Sequence, residues 1–550
     1  MLLPLLLLPS PAAARDLLVA VADDQHAPIT NYRPETVMWN FSTTVDPYRG
    51  TWQIDESDPR INPELYDGVT PEQVKVIYYG RTEVAITWSS GNSTTYQGNL
   101  RPLDVSEESS EVQLETPDGN VVAYAGDVGH YTYNYATSIP DALNYTSGAM
   151  HRVRLGSLIP GGFYKYRVGS LRRDVWSREF NFTMPGGAAT YPFTFGLIGD
   201  VGQSYNSSTT YDHLHAIHPD AIIFLGDICY SDTRYSNGSD QPRLYNTSVP
   251  TPQGLHPQTG MGSYQPRWDM WGRLIEPVSS SVPFVYIVGN HEMERQSDGV
   301  MWTAFNNRVQ PNTDVTGTFL YLSYDIGPVH WIFLTSYTDF DEESDQYQWL
   351  INDLDTIDRD VTPWVIVGFH APYYNSYLAH YQEVECFRMV IEPVLYDYGV
   401  DLVFSGHVHA YERSFPVYNY TLDPLAPVHI TVGDGGNVQK LEVIFADLPG
   451  YCPAVERRRG NSYQPDYCLV EVYDGQFCSD GQPFWSAYRE PSFGFGSLEI
   501  INATTARFKW HRNQDPVPIV ADDVYFTRTN MDTLQPAVSA SEGPDALDRR

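Results

Sequence analysis

Positive charge is scarce in this chain. Across 550 residues, 34 Lys and Arg stand against 68 Asp and Glu, a formal net charge of −34 at neutral pH. Nucleic-acid binding needs a basic footprint, so nucleic acid is excluded as a partner on this ground, and an anionic membrane surface with it. An anionic ligand must then be drawn by a local positive centre rather than by the field of the whole protein. Cysteine is also rare. The five, Cys229, Cys386, Cys452, Cys468 and Cys478, are odd in number and match no zinc-ribbon spacing. In an oxidising compartment the last three allow one disulfide, with the others free or paired elsewhere. After the first nine residues no apolar stretch is long enough to cross a bilayer. The polar segment 541–550 gives no lipid-anchor signal, and there is no internal repeat. What is present is a 14% share of aromatic residues, which argues against disorder, on a chain too long for one hydrophobic core.

The first nine residues, MLLPLLLLP, read as the apolar part of a secretory signal, with small-residue cleavage sites at Ala12–Ala14 or Ala20–Ala22. We therefore expect a signal peptide over 1–22 and a secreted, extracellular protein. Nine Asn-x-Ser/Thr sequons agree with that expectation: Asn40, Asn92, Asn144, Asn181, Asn206, Asn237, Asn246, Asn419 and Asn502. Residues 23–70 lack periodicity and read as an extended segment. From 71 to 184 short alternating runs with turn signals predict an all-β domain like a fibronectin type III sandwich; it offers no catalytic cluster and suits a scaffold or an oligomer contact, so a homodimer is one expected state. After a linker at Met184–Thr190, strands alternate with helical stretches over 190–527, the α/β signature. One helix follows Ser344, with Tyr347, Leu350, Ile351 and Leu354 on one face. Another carries Phe387, Val390, Ile391 and Val394. Residues 528–550 read as a disordered tail.

Five short apolar runs end on metal-binding side chains. FTFGLIG (193–199) leads to Asp200, AIIFLG (221–226) to Asp227 and, three residues on, Tyr230. FVYIVG (284–289) leads to Asn290, WVIVGF (364–369) to His370, and DLVFSG (401–406) to His407 and His409. Runs of this length, rich in β-branched and aromatic residues, read as buried strands. Ligands gather outside the carboxyl ends of strands in α/β sheets, so five such ends point to one metal centre. A shared carboxylate lets two cations sit about 3.5–4 Å apart. A phenolate with carboxylates suits a trivalent iron; an amide oxygen with two imidazoles suits a divalent first-row ion.

These blocks resemble the metallophosphoesterases, and specifically the large two-domain purple acid phosphatases of plants and fungi. The discriminating pair is Gly202, where most metallophosphoesterases carry histidine, together with Tyr230. The resemblance runs from about residue 71 to 515 and takes in 427–436, 488–494 and 510–515. It implies a metallophosphoesterase-like β-sandwich flanked by helices behind the all-β domain. It also implies Fe(III) on Asp200, Asp227, Tyr230 and His409, with Zn, Mn or Fe(II) on Asp227, Asn290, His370 and His407. The implied activity is hydrolysis of phosphate monoesters by a metal-activated hydroxide, which persists in acid because a trivalent cation acidifies water strongly. His380 is expected to protonate the leaving alkoxide and His291 to contact phosphate, although Ala379 stands where the family often has a first histidine. Glu292 and Tyr373 are expected to be structural. The same centre also suits phosphodiesters, nucleotide pyrophosphate bonds or phytate; a non-catalytic secreted binding protein fits less well, since all seven ligand positions are intact.

Overall fold

The structure is a computed structural model that describes residues 53–55, 58–62, 67–91, 102–133, 145–232, 263, 265–296, 299–309, 311–452, 457–459, 469–471, 481–513 and 517–528. The expected signal peptide, most of the 23–70 segment, nearly all of the tail, and Asn40, Asn92, Asn144, Asn237 and Asn246 lie outside the described residues. Among the sequons that are described, Asn181, Asn419 and Asn502 are exposed and Asn206 is half-buried in a helix. Among the described cysteines, Cys386 and Cys452 are disulfide-bonded and Cys229 is free and buried.

The architecture is the expected one: a metallophosphoesterase fold behind an all-β domain. Two sheets face each other in the catalytic part. In the first, Phe193–Ile198, Ala221–Phe224 and Phe284–Tyr286 run parallel, flanked by the antiparallel strands Gly494–Ile500, Thr505–Arg512 and Ile519–Thr527. The second orders Leu322–Ile326, Val329–Phe333, Trp364–Gly368, Leu402–Ser405, Val428–Val432, Tyr411–Ser414 and Ser486–Glu490, with its second to fifth strands parallel. Side chains alternate across each strand, so Phe195, Leu197 and Ile223 meet Trp331, Ile366 and Phe404 in the layer between the sheets. Ile222 and Phe224 point the other way, against Trp268, Trp271 and Ile275 of the helix Pro266–Ser279. On the far side, Val365 and Val367 pack against Leu350 and Leu354 of the helix Asp345–Asp355 and Phe387 and Ile391 of Glu385–Asp397. Both helices are where the apolar spacing places them, and Ser344 caps the first by accepting from the Tyr347 N–H at 3.2 Å.

The N-terminal domain is not a separate bead. Its strands Phe180–Thr183, Phe163–Ser170, Ser110–Glu115, Val121–Gly129, Ala149–Leu155, Glu83–Ser90 and Glu72–Gly80 follow one another, and Glu72–Gly80 then pairs with Phe284–Tyr286, making one 14-stranded sheet through both domains. The hydrophobic layer is likewise continuous from Val74, Val76 and Trp88 into Phe195 and Trp331. Ahead of it, Ile54 and Ile61 are fully buried against the catalytic domain, and the Ile54 N–H donates to the Gln203 carbonyl at 3.0 Å.

Candidate metal centre

Three of the five strand ends come from the first sheet and two from the second, and all open into the same gap between the sheets. The turns there are tight. Asp200 (φ 55), Asp227 (φ 53), Tyr230 (φ 53), His407 (φ 68) and His380 (φ 56) all have left-handed backbone, a conformation that costs an L-residue about 1–2 kcal/mol. Such strain persists only where the surroundings over-determine it, which is typical of functional sites. Gly406 is needed for close approach: a Cβ there would sit 2.5 Å from Asp200 Oδ2. That oxygen instead accepts the His407 N–H at 2.7 Å.

One half of the centre gathers Asp200, Tyr230 and His409. The Tyr230 hydroxyl lies 3.0 Å from Asp200 Oδ1 and 3.0 Å from His409 Nε2, and His409 Nε2 is 3.5 Å from Asp200 Oδ1. His409 Nδ1–H donates to the Lys440 carbonyl at 3.0 Å, which leaves Nε2 as the lone-pair nitrogen. Gly202 explains why Tyr230 fits: a Cβ at 202 would lie 3.3 Å from the tyrosine ring, so a larger side chain and this phenol compete for one space.

The other half gathers Asp227, His370 and His407, whose ligand atoms lie within 4.8 Å of one another. His370 Nδ1–H donates to the Leu225 carbonyl at 2.6 Å, which turns Nε2 into the gap. It sits 3.0 Å from Asp227 Oδ2. Both atoms are buried, and neither has a hydrogen-bond partner among the described residues. Two such atoms facing each other share a cation: a proton on His370, whose pKa Asp227 and Asp200 raise to about 9 against burial, or a metal ion in its place. His370 Nε2 is 3.9 Å from Asp200 Oδ1, which joins the halves. Asn290 opens the turn Asn290–Glu292 at the same edge, and its Oδ1 accepts from the Tyr337 hydroxyl at 3.4 Å. All seven expected ligand residues are buried in this one gap, and the donor set suits two first-row cations.

Electrostatics follow the same geometry. Burial would raise the Asp227 carboxyl, but the charges of His370 and His291 hold it well below the usual range, and Asp227 and Asp200 in turn raise His370 to about 9 against the effect of burial. Burial and the neighbouring His380 push His407 down to about 4, keeping it neutral for ligation.

Two histidines line the centre. His291 is buried and its ring lies on Tyr230 with centroids 4.2 Å apart. Its N–H donates to Asp227 Oδ1 at 2.8 Å, and Nδ1 is 2.7 Å from Asp232 Oδ1. Burial works against its charge, but Asp232 and Asp227 raise it to about 10. His380 bonds through Nδ1 to Glu383 Oε2, which also lies 3.4 Å from His407 Nε2. Burial lowers its pKa, Glu383 outweighs that, and the imidazole ends above its ordinary value. The sequence reading missed Asp232 and Glu383; each stands two or three residues after a singled-out residue, with no motif to mark it. Glu292 is structural as expected: it accepts the N–H groups of Asp227 (2.8 Å), Ile228 (2.7 Å) and Gly289 (2.8 Å), clamping two ligand turns together. Tyr373 packs on Phe369 and Phe387.

Family models match along the chain. The one described as purple acid phosphatase, N-terminal domain, covers residues 71–184, calcineurin-like phosphoesterase covers 193–411, and iron/zinc purple acid phosphatase-like protein C covers 471–522. Purple acid phosphatase 15 of Arabidopsis thaliana is 39% identical over 483 residues, covering 86% of this chain and 88% of that protein. Purple acid phosphatase 1 of Ipomoea batatas is 35% identical over 403 residues, covering 70% and 72%. The solved structure of a purple acid phosphatase from yellow lupin (Lupinus luteus) seeds has the same fold, with a TM-score of 0.63 at 19% identity over 88% of this chain and 78% of that one.

Proposed function

The chain belongs to the purple acid phosphatases, and is thus a binuclear metallophosphoesterase and an acid phosphatase; from that premise we propose that it hydrolyses phosphate monoesters outside the cell with an iron(III)–divalent metal pair. Asp200, Asp227, Tyr230 and His409 would hold the iron. Asp227, Asn290, His370 and His407 would hold zinc, manganese or iron(II). The observation that carries this reading is the facing pair of buried ligand atoms, Asp227 Oδ2 and His370 Nε2, 3.0 Å apart beside a tyrosine oxygen 3.0 Å from both Asp200 and His409. When bound, the two cations supply Lewis acidity to the phosphoryl oxygens and lower the pKa of water, so that a nucleophile persists in acid.

The chain's own residues supply the remainder. His291, fixed by Asp232 and charged throughout the acid range, offers a cationic contact to a phosphoryl oxygen. Gln439 Nε2, 3.4 Å from His291 Nε2, marks the same wall. His380 is held through Nδ1 by Glu383, so its Nε2 proton is the one to transfer to the leaving oxygen.

Metal analysis with a visible spectrum on purified protein tests the reading. We expect iron plus a second metal, and a violet or pink phenolate-to-iron band that Tyr230→Phe removes. A colourless wild type with two equivalents of zinc overturns the iron assignment. Parallel assays with p-nitrophenyl phosphate and its bis ester test the monoester preference. The exposed sequons Asn181, Asn419 and Asn502 support secretion. Glycosidase-sensitive mobility and a mature N-terminus beyond the first apolar run are the expected results.

A further inference from the structure

Tyr230 is held in a left-handed conformation (φ 53) by bonds that do not originate in the metal centre. Its carbonyl accepts from Arg267 Nη1 at 2.8 Å. The next residue, Ser231, meets the Ser263 hydroxyl at 2.6 Å, and the one after is Asp232, which fixes His291. Ser263 is in turn bonded by Gln265 Nε2 at 2.8 Å, and its N–H donates to the Tyr133 hydroxyl at 3.2 Å. Gln265 also donates to Glu294 Oε1 at 2.5 Å and accepts from the Tyr131 hydroxyl at 2.8 Å. The chain of bonds ends on Arg308, which donates to Tyr131 at 2.6 Å and to Tyr145, and pairs with Asp269 at 2.9 Å. Tyr131, Tyr133 and Tyr145 belong to the N-terminal domain; Gln265, Arg308 and Asp269 belong to the catalytic domain. Every one of these side chains is buried.

We propose that Gln265 and Tyr131 are positioning residues for the metal site, through which the N-terminal all-β domain holds the Tyr230–Asp232 turn in place. The inference rests on the reading of Tyr230 as a metal ligand and assigns the N-terminal domain a part in it. Gln265 is the node. It bonds at once to the N-terminal domain through Tyr131, to the turn support Ser263, and to Glu294, two residues past the clamp Glu292. Buried polar networks of this kind fix geometry because each member left unpaired carries a desolvation penalty. Tyr230 precedes Ser231, and Asp232, which anchors His291, follows it, so a turn released there displaces the phenol and the phosphate contact together. Small displacements of this sort slow the chemical step more than they weaken substrate binding.

The test uses full-length, metal-loaded protein carrying Gln265→Leu or Tyr131→Phe. Gln265→Leu is expected to lower kcat ~10-fold with KM within about twofold of wild type, and to shift and weaken the visible band. Tyr131→Phe, which deletes one oxygen, is expected to act in the same direction by about threefold. Unchanged kcat, KM and spectrum in variants whose Tm alone falls would overturn the proposal, since that is what a purely structural role produces. Should Gln265→Leu not fold, Tyr131→Phe carries the same readouts. A wild type without a visible band refutes the iron reading on its own, and the kcat-against-KM split still decides whether the network positions the site.

Discussion

His291 and His380 flank the same centre, each bonded through Nδ1 to a carboxylate, yet their surroundings differ. His291 is 5% exposed and tied to Asp227 through its backbone, with Asp232 as its own anion. The His380 side chain is 27% exposed and shares Glu383 with His407. A histidine locked against a ligand carboxylate and kept charged suits binding. One that reaches solvent, and whose carboxylate is shared with a neutral imidazole, suits proton exchange. Burial and the number of neighbours thus suit the two histidines to the different tasks proposed for them.

The comparison breaks outright if the two histidines do not serve one centre. Asp227 touches both sides, through His291 and His370, so Asp227→Ala is expected to reduce kcat by ~10³-fold or more, with loss of bound metal by elemental assay. The next test separates the roles. His380→Ala is expected to cost ~10²-fold or more on an alkyl phosphate and far less on p-nitrophenyl phosphate, whose phenolate leaves without a proton. Equal losses on both substrates would remove His380 as the donor. For His291, Asp232→Asn is expected to raise KM for either substrate by roughly tenfold while leaving the leaving-group dependence unchanged. The smallest effect comes from a histidine with the same kind of partners away from the site. His330 lies 2.7 Å from Asp325 and 2.9 Å from Asp353; burial disfavours its charge, but these carboxylates raise it to about 9. A raised pKa gives stability that is complete below about 6.5 and is lost as pH climbs through 9. His330→Gln should therefore cost about 2 kcal/mol at pH 5.5 and little at pH 9.5 in denaturant titrations, with kcat unaffected.

What was legible in the sequence depends on how local its cause is. The strands that carry the ligands announce themselves as apolar runs closed by glycine, because a strand buried on both faces has no polar side to hide. The helix Asp345–Asp355 shows its apolar spacing and its serine cap. The helix Tyr205–Ala216 escaped notice because its buried face includes Ser207, Ser208 and Thr210, which are satisfied by distant partners: Ser207 bonds the Gly436 carbonyl and Thr210 accepts from Asn513. No period of hydrophobicity marks such a face. Likewise 71–184 reads as an independent sandwich, yet Ile77 pairs with Phe284 and extends the catalytic sheet.

The sequence alone determined which atoms could bind metal, their order along the chain and the strands that deliver them, since ligand chemistry and strand pattern are properties of neighbouring residues. Only the tertiary structure decided that the ligands rise from two facing sheets, that Asp232 and Glu383 set the two histidines apart, and that tyrosines of the first domain bear on the turn of Tyr230. Those contacts join residues tens to hundreds of positions apart, and the burial and charge that act between them exist only once the chain has closed around the gap.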